Sequence, residues 1–131
     1  MAGEREVLEQ AFEQFAQGDF RSVTRLYDPG VEWVEHRGVP GGGAFGGVDE
    51  VRQGFRGWLS SWERYRLELI ELIEQGDRCL TAVRGSGRGR LSGAYAEDLF
   101  FQVWTFRDRR VVRIENFAER GEALAALTSP A

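Results

Sequence analysis

Glu35 stands in step with Val31 and Trp33, so strand alternation places a carboxylate on an otherwise apolar face. Desolvated in a pocket, such a carboxylate can take a proton from carbon as a general base. Gln102 and Asn116 fall in step with Trp104 and Ile114, which puts two amides among apolar walls. That mixture suits a small-molecule site, and buried amides need a ligand, a water or each other as partners. Arg84 follows the phase of Leu80 and Ala82. It reads as a pocket guanidinium that binds an anionic or carbonyl group, or orients Glu35, and if buried it must be paired. Together these residues describe acid-base chemistry on a carbonyl compound. Glu35 takes the proton, and Gln102, with Arg84 or Asn116, steadies the oxyanion. Trp33 and Trp104 are the tryptophans placed to contact a ligand. His36 follows Glu35 and so belongs on the opposite face, at the surface or rim.

Composition removes several classes of function. All 17 basic residues are Arg, so no lysine is present for a Schiff base or a phosphate loop. A single His excludes a three-histidine metal site. No cofactor is implied. The net charge of −4 gives no electrostatic footprint for nucleic acid. No apolar run is long enough to cross a membrane. Met1 to Leu8 is charged and lacks a signal-peptide core, and lone Cys79 fits a reducing compartment. A cytoplasmic protein is expected.

The elements that must position these side chains are legible as periodicities. Glu4 to Ala16 carries Val7, Leu8, Ala11, Phe12 and Phe15 at helical spacing, and Gly18 stops it. Asp19 caps a short second helix with Val23 and Leu26, and Asp28-Pro29-Gly30 reads as a turn. Val31 to Glu35 is a strand. Gly38 to Gly47 is a Gly-rich rim or lid, and Val48 to Trp62 marks a third helix. Then come strands: Tyr65 to Glu74 with a bulge near Ile70, a turn at Gln75-Gly76-Asp77, Arg78 to Arg90, Ala94 to Phe106 and Arg110 to Ala118. Arg84 to Arg90, rich in Gly and Arg, lacks the strand-to-helix context of a phosphate loop and reads as a bulged hairpin. Gly121 to Leu127 is a final short helix. Helices followed by strands argue an α+β fold, a cone-shaped curved antiparallel sheet with three N-terminal helices enclosing a pocket. One domain is expected over 1–131, its core at about 4–127.

Two stretches carry a family resemblance. One runs Phe15-Ala16-Gln17-Gly18-Asp19-Phe20 and on to Leu26-Tyr27-Asp28-Pro29-Gly30-Val31-Glu32-Trp33. The other runs Val103-Trp104-Thr105-Phe106-Arg107-Asp108 through Val111-Val112-Arg113 to Glu122-Ala123-Leu124. Together they resemble the nuclear-transport-factor-2-like superfamily in its SnoaL-like branch. The resemblance implies a cone whose mouth opens between helices and the concave sheet face. Against ketosteroid isomerase relatives, Glu35 takes the place of the base and Gln102 that of an oxyanion donor, while Ala11 stands where they keep a tyrosine. Against limonene-epoxide hydrolase relatives, Arg84 matches the arginine and Ser86 and Asn116 match the two aspartates. Asn116 cannot act as a general base, so that hydrolysis is not expected. Glu119 is nearest to the catalytic aspartate of polyketide cyclase relatives.

The reading is then a pocket protein for a small apolar organic molecule. It acts as an isomerase, cyclase or dehydratase, or else as a non-catalytic binding or accessory domain. Leu99, Phe101, Val103, Val111 and Phe117 are expected on the opposite sheet face, where a homodimer would cover them.

Overall fold

The computed structural model describes residues 3–38 and 43–129. The chain runs α1 (Glu4–Ala16), a 3-10 helix (Ser22–Leu26), β1 (Tyr27–Glu35), β2 (Ala44–Gly46) and α2 (Val48–Ser60). It continues through β3 (Trp62–Gln75), β4 (Arg78–Gly89), β5 (Tyr95–Arg107), β6 (Arg110–Phe117) and α3 (Arg120–Thr128). The six strands form one curved, unclosed sheet in the order β2-β1-β6-β5-β4-β3. Neighbours are antiparallel except β1 and β6, which pair in parallel. The α+β cone expected from sequence is therefore present, with one parallel ladder where an all-antiparallel sheet was expected. That ladder follows from connectivity, because everything from β2 to β5 intervenes between the two strands.

Local chemistry sets the N-terminal layer. α1 buries Leu8, Ala11, Phe12 and Phe15 on one stripe. It ends where Gly18 adopts φ 84° and its N–H donates to the Phe15 carbonyl at 3.0 Å. Asp19 then accepts from the N–H groups of Arg21 (3.2 Å) and Ser22 (3.1 Å) and from the Ser22 hydroxyl, opening the 3-10 helix. Those hydrogen bonds, the Ser22 side chain foremost, hold the Asp19 carboxyl below its usual range.

Asp28-Pro29-Gly30 is not a free turn. It lies within β1 as an irregularity, since Tyr27 opposes Val111 while Glu32 already opposes Arg113. The missing Pro29 N–H is tolerated there because the ladder is broken. β3 carries the expected bulge, between Leu69 and Glu71. β5 and β6 turn through Asp108 (φ 51°) and Arg109 (φ 66°), both in the left-handed region that a tight hairpin demands. Of the Gly-rich stretch, residues 39–42 lie outside the described residues. The rest forms β2, whose Phe45 ring packs against Gly54 of α2.

The sheet separates two apolar clusters. On the concave face, α1, the 3-10 helix and α2 cover Val31, Cys79, Val83, Phe100, Trp104, Phe106, Val111 and Ile114. On the convex face, α3 lays Ala123 and Leu127 against Leu80, Ala82, Phe101, Val103 and Phe117. Two expectations are corrected here. Val111 belongs to the concave cluster, because the register shifts between Thr105 and Phe106. Phe101, Val103 and Phe117 are not left open, because the chain's own last helix covers them.

Candidate functional site

Register builds the site. One row across the sheet runs Glu35, Asn116, Gln102 and Thr81, each opposite the next. Odd and even positions of four strands thus come into phase on the concave face. The row is a continuous relay. Trp104 Nε1–H donates to Thr81 Oγ1 (2.9 Å), and the Thr81 hydroxyl donates to Gln102 Oε1 (3.4 Å). Gln102 Nε2 donates to Asn116 Oδ1 (3.0 Å), and Asn116 Nδ2 donates to the Val34 carbonyl (3.4 Å). Thr81, Gln102 and Asn116 are all buried. Each of these three buried side chains thereby has a partner, which fixes the amide orientations.

Above this row lies a cavity of about 300 Å³ between the helices and the sheet. Phe15, Phe20, Val23, Val51, Phe55, Leu59 and Leu67 supply apolar walls. Trp33, Trp104 and Gln102 line it from the sheet, as the sequence suggested. So does Tyr27, which sequence reasoning passed over because it precedes a turn signal. Its hydroxyl has no hydrogen-bond partner among the described residues. Burial pushes the phenol well above its ordinary range, so it stays a neutral donor. Arg21, Arg52 and Arg56 also border the cavity and were likewise missed. No carboxylate, histidine or cysteine lines it among the described residues.

Other expected site residues stand elsewhere. Glu35 shares the concave strand face with Trp33 but does not line the cavity. Its side chain is 4 % exposed and clamped by Arg37, Nε to Oε1 at 2.7 Å and Nη2 to Oε2 at 2.8 Å. Arg37 lies over the Phe100 ring, 4.3 Å from its centroid, and 3.6 Å from Asp98. This bidentate pair replaces the free carboxylate that the alternation pattern described. Arg84 shares a phase with Leu80 and Ala82 as expected, but that phase is convex. Its side chain is 42 % exposed, with Glu97 at 3.0 Å and Glu68 at 3.7 Å. The pocket placement of Arg84 is therefore corrected, and that of Ser86 with it, since both alternate outward from Gly85 and Gly87. His36 also faces outward, stacked on Phe117 and 3.1 Å from Glu115. Glu119 precedes α3 on the surface.

The Arg-Gly stretch has a packing explanation. A Cβ at Gly85 would stand 2.5 Å from the Tyr65 hydroxyl, and one at Gly87 would stand 3.2 Å from the Trp62 ring. The alternating glycines make a flat strip on which Trp62 and Tyr65 lie, with Trp58 against both. Cys79 is buried, and desolvation pushes its thiol up to about 12. With Glu4 and Glu74 it is the one candidate metal cluster among the described residues, with ligand atoms within 4.8 Å of one another. A thiol so reluctant to ionise is a poor ligand.

A family model described as a SnoaL-like domain matches residues 8–114. The chain belongs to the SnoaL-like family. Solved structures agree with this assignment. An NTF2-like protein from Burkholderia thailandensis E264 is 24% identical, with 99% of this chain and 100% of that one covered and a TM-score of 0.82. An NTF2-like protein from Burkholderia pseudomallei K96243 is 25% identical over 99% and 100%, with a TM-score of 0.77. TerC, crystallised with polyporic acid, is 26% identical over 94% and 95%, with a TM-score of 0.75. No curated protein matches the sequence. The SnoaL-like chain has no helix, among the described residues, long and apolar enough to span a membrane.

Proposed function

We propose that this SnoaL-like chain binds a small, largely apolar organic molecule between its helices and the concave sheet face. Tyr27 and Gln102 hold that molecule's oxygen. The observation that carries this reading is a cavity with mainly apolar walls that Tyr27, whose hydroxyl has no hydrogen-bond partner among the described residues, and Gln102 both line. A hydroxyl without a protein partner is free to donate to a ligand carbonyl or hydroxyl. Gln102 has one amide hydrogen committed to Asn116 and a second available. The report of TerC crystallised with polyporic acid supports an organic ligand here.

Binding without chemistry is favoured over catalysis by the composition of the cavity wall. A proton acceptor is lacking among the described lining residues, and Ala11 is buried on α1 where a tyrosine would complete the donor set. The isomerase, cyclase or dehydratase reading keeps one supporting observation: Glu35 lies on the same strand face as Trp33, which does line the cavity. There Glu35 would act as base once released from Arg37, with Gln102 steadying the oxyanion. Calorimetric titration with hydroxylated aromatic ketones tests the primary reading. Saturable binding that weakens in Tyr27→Phe and Gln102→Leu is expected. A Glu35→Gln variant that keeps affinity but loses turnover of a bound ketone would instead establish the enzyme.

The homodimer is retained as a proposal on a narrower basis. Ile70 on β3 (45 %) and Leu99 on β5 (48 %), the latter opposite Arg84, remain exposed, as does Tyr95 at the start of β5.

A further inference from the structure

Arg21, Arg52 and Arg56 border the cavity from two elements, and no acidic residue borders it among the described residues. None of the three guanidinium groups has a hydrogen-bond or ion-pair partner among those residues. Among the described residues, five of the 17 arginines, Arg5, Arg37, Arg84, Arg113 and Arg120, stand within 4 Å of a carboxylate; what sets Arg21, Arg52 and Arg56 apart is that all three border the cavity. Of the carboxylates nearest in sequence, Asp49, three residues before Arg52 on α2, makes no ion pair with it, and two others are engaged elsewhere. Asp19 is taken by backbone N–H groups and Ser22, and Glu50 accepts from the Gly46 N–H at 3.2 Å. Arg52 and Arg56 are one turn apart on α2, where like charges repel and weaken a helix. All three side chains are exposed, so they form the cavity's solvent-facing rim. Three like charges bordering a cavity with no acidic residue among its described lining are complementary to an anionic occupant.

We propose that the ligand is an organic anion, a ring-bearing carboxylate whose apolar body enters the cavity while its charged group stays at the mouth among Arg21, Arg52 and Arg56. Guanidinium groups match a carboxylate in bidentate geometry, and half-exposed ones do so without a large desolvation cost. Tyr27 and Gln102 then meet a neutral oxygen at the inner end. This inference rests on the small-molecule reading and adds its charge and polarity.

The test compares two ligands of the same shape, 2-naphthoate and 2-acetonaphthone, by calorimetry at low ionic strength. An advantage of roughly 10-fold or more for the anion is expected from charge-assisted hydrogen bonding. It should shrink as salt is added. In the double variant Arg52→Gln with Arg56→Gln the ratio of the two affinities should fall to about 3-fold or less. Because both positions are exposed, the variant's melting curve should match the parent's and so separate binding from folding. Equal affinity for the two compounds overturns the anion inference and leaves the cavity reading standing. Failure of both to bind overturns both. An anion preference that survives the double variant and Arg21→Gln also overturns the assignment to these residues.

Discussion

Tyr27 lines the cavity and its hydroxyl has no hydrogen-bond partner among the described residues, whereas Gln102 is held from both ends by Thr81 and Asn116. The two residues should therefore respond differently to truncation. Tyr27→Phe removes a donor that folding leaves unused. Its stability should stay within about 0.5 kcal/mol of the parent in urea denaturation, while ligand affinity drops roughly 5- to 10-fold. Gln102→Leu strips partners from Asn116 and Thr81 together and should cost about 2 kcal/mol in the same assay. Cys79 makes a third residue-scale case. Its folded thiol ionises near 12 and its unfolded reference near 9.0. The folded state thus retains a proton that the unfolded state loses between those values. The sign follows directly: this contribution is intact below pH 9 and declines as pH rises toward 12. Burial of Tyr27 acts in the same direction. Denaturant midpoints should accordingly fall above pH 9. At pH 8 the native thiol should resist a disulfide reagent that labels the unfolded chain at once.

At the scale of elements, β4 shows how one strand serves two faces. Its inward positions pass from Cys79, Thr81 and Val83 to Gly85 and Gly87, so side-chain volume gives way to bare backbone under Tyr65 and Trp62. Gly85→Ala places a methyl 2.5 Å from the Tyr65 hydroxyl. The ring must move, and the variant should lose about 2 kcal/mol, with altered near-ultraviolet dichroism from the Trp58, Trp62 and Tyr65 cluster. The same strand explains how Arg84 was misplaced. Alternation correctly grouped Leu80, Ala82 and Arg84, but period two names two faces without saying which is concave. Apolar neighbours suggested the pocket. The convex face is equally apolar there because α3 covers it.

For the whole molecule, α3 changes the meaning of the convex face. Phe101 lies in a closed cluster with Ala123 and Leu127, so Phe101→Asp should act on folding. An unpaired buried carboxylate there should cost more than about 3 kcal/mol and lower the melting temperature steeply, whatever the oligomeric state. Sedimentation at micromolar concentration addresses the dimer separately. Twice the 14.8 kDa chain mass supports pairing through Ile70 and Leu99, and a monomer mass removes it.

Periodicity alone determined the helices, except that Trp62 opens β3 where it was expected to close the third helix, and it determined the long strands, the β3 bulge and the grouping of Trp104, Gln102, Ile114 and Asn116 on one face. These follow from local spacing, because side-chain direction repeats with the backbone. Tertiary structure decided what that spacing cannot carry. It set Glu35 against Arg37, turned Arg84 outward, folded α3 over Phe101, and gathered Tyr27 with Arg21, Arg52 and Arg56 around one cavity. Those outcomes depend on which face the helices cover and on the register between strands distant in sequence, and both are fixed only when the sheet is assembled.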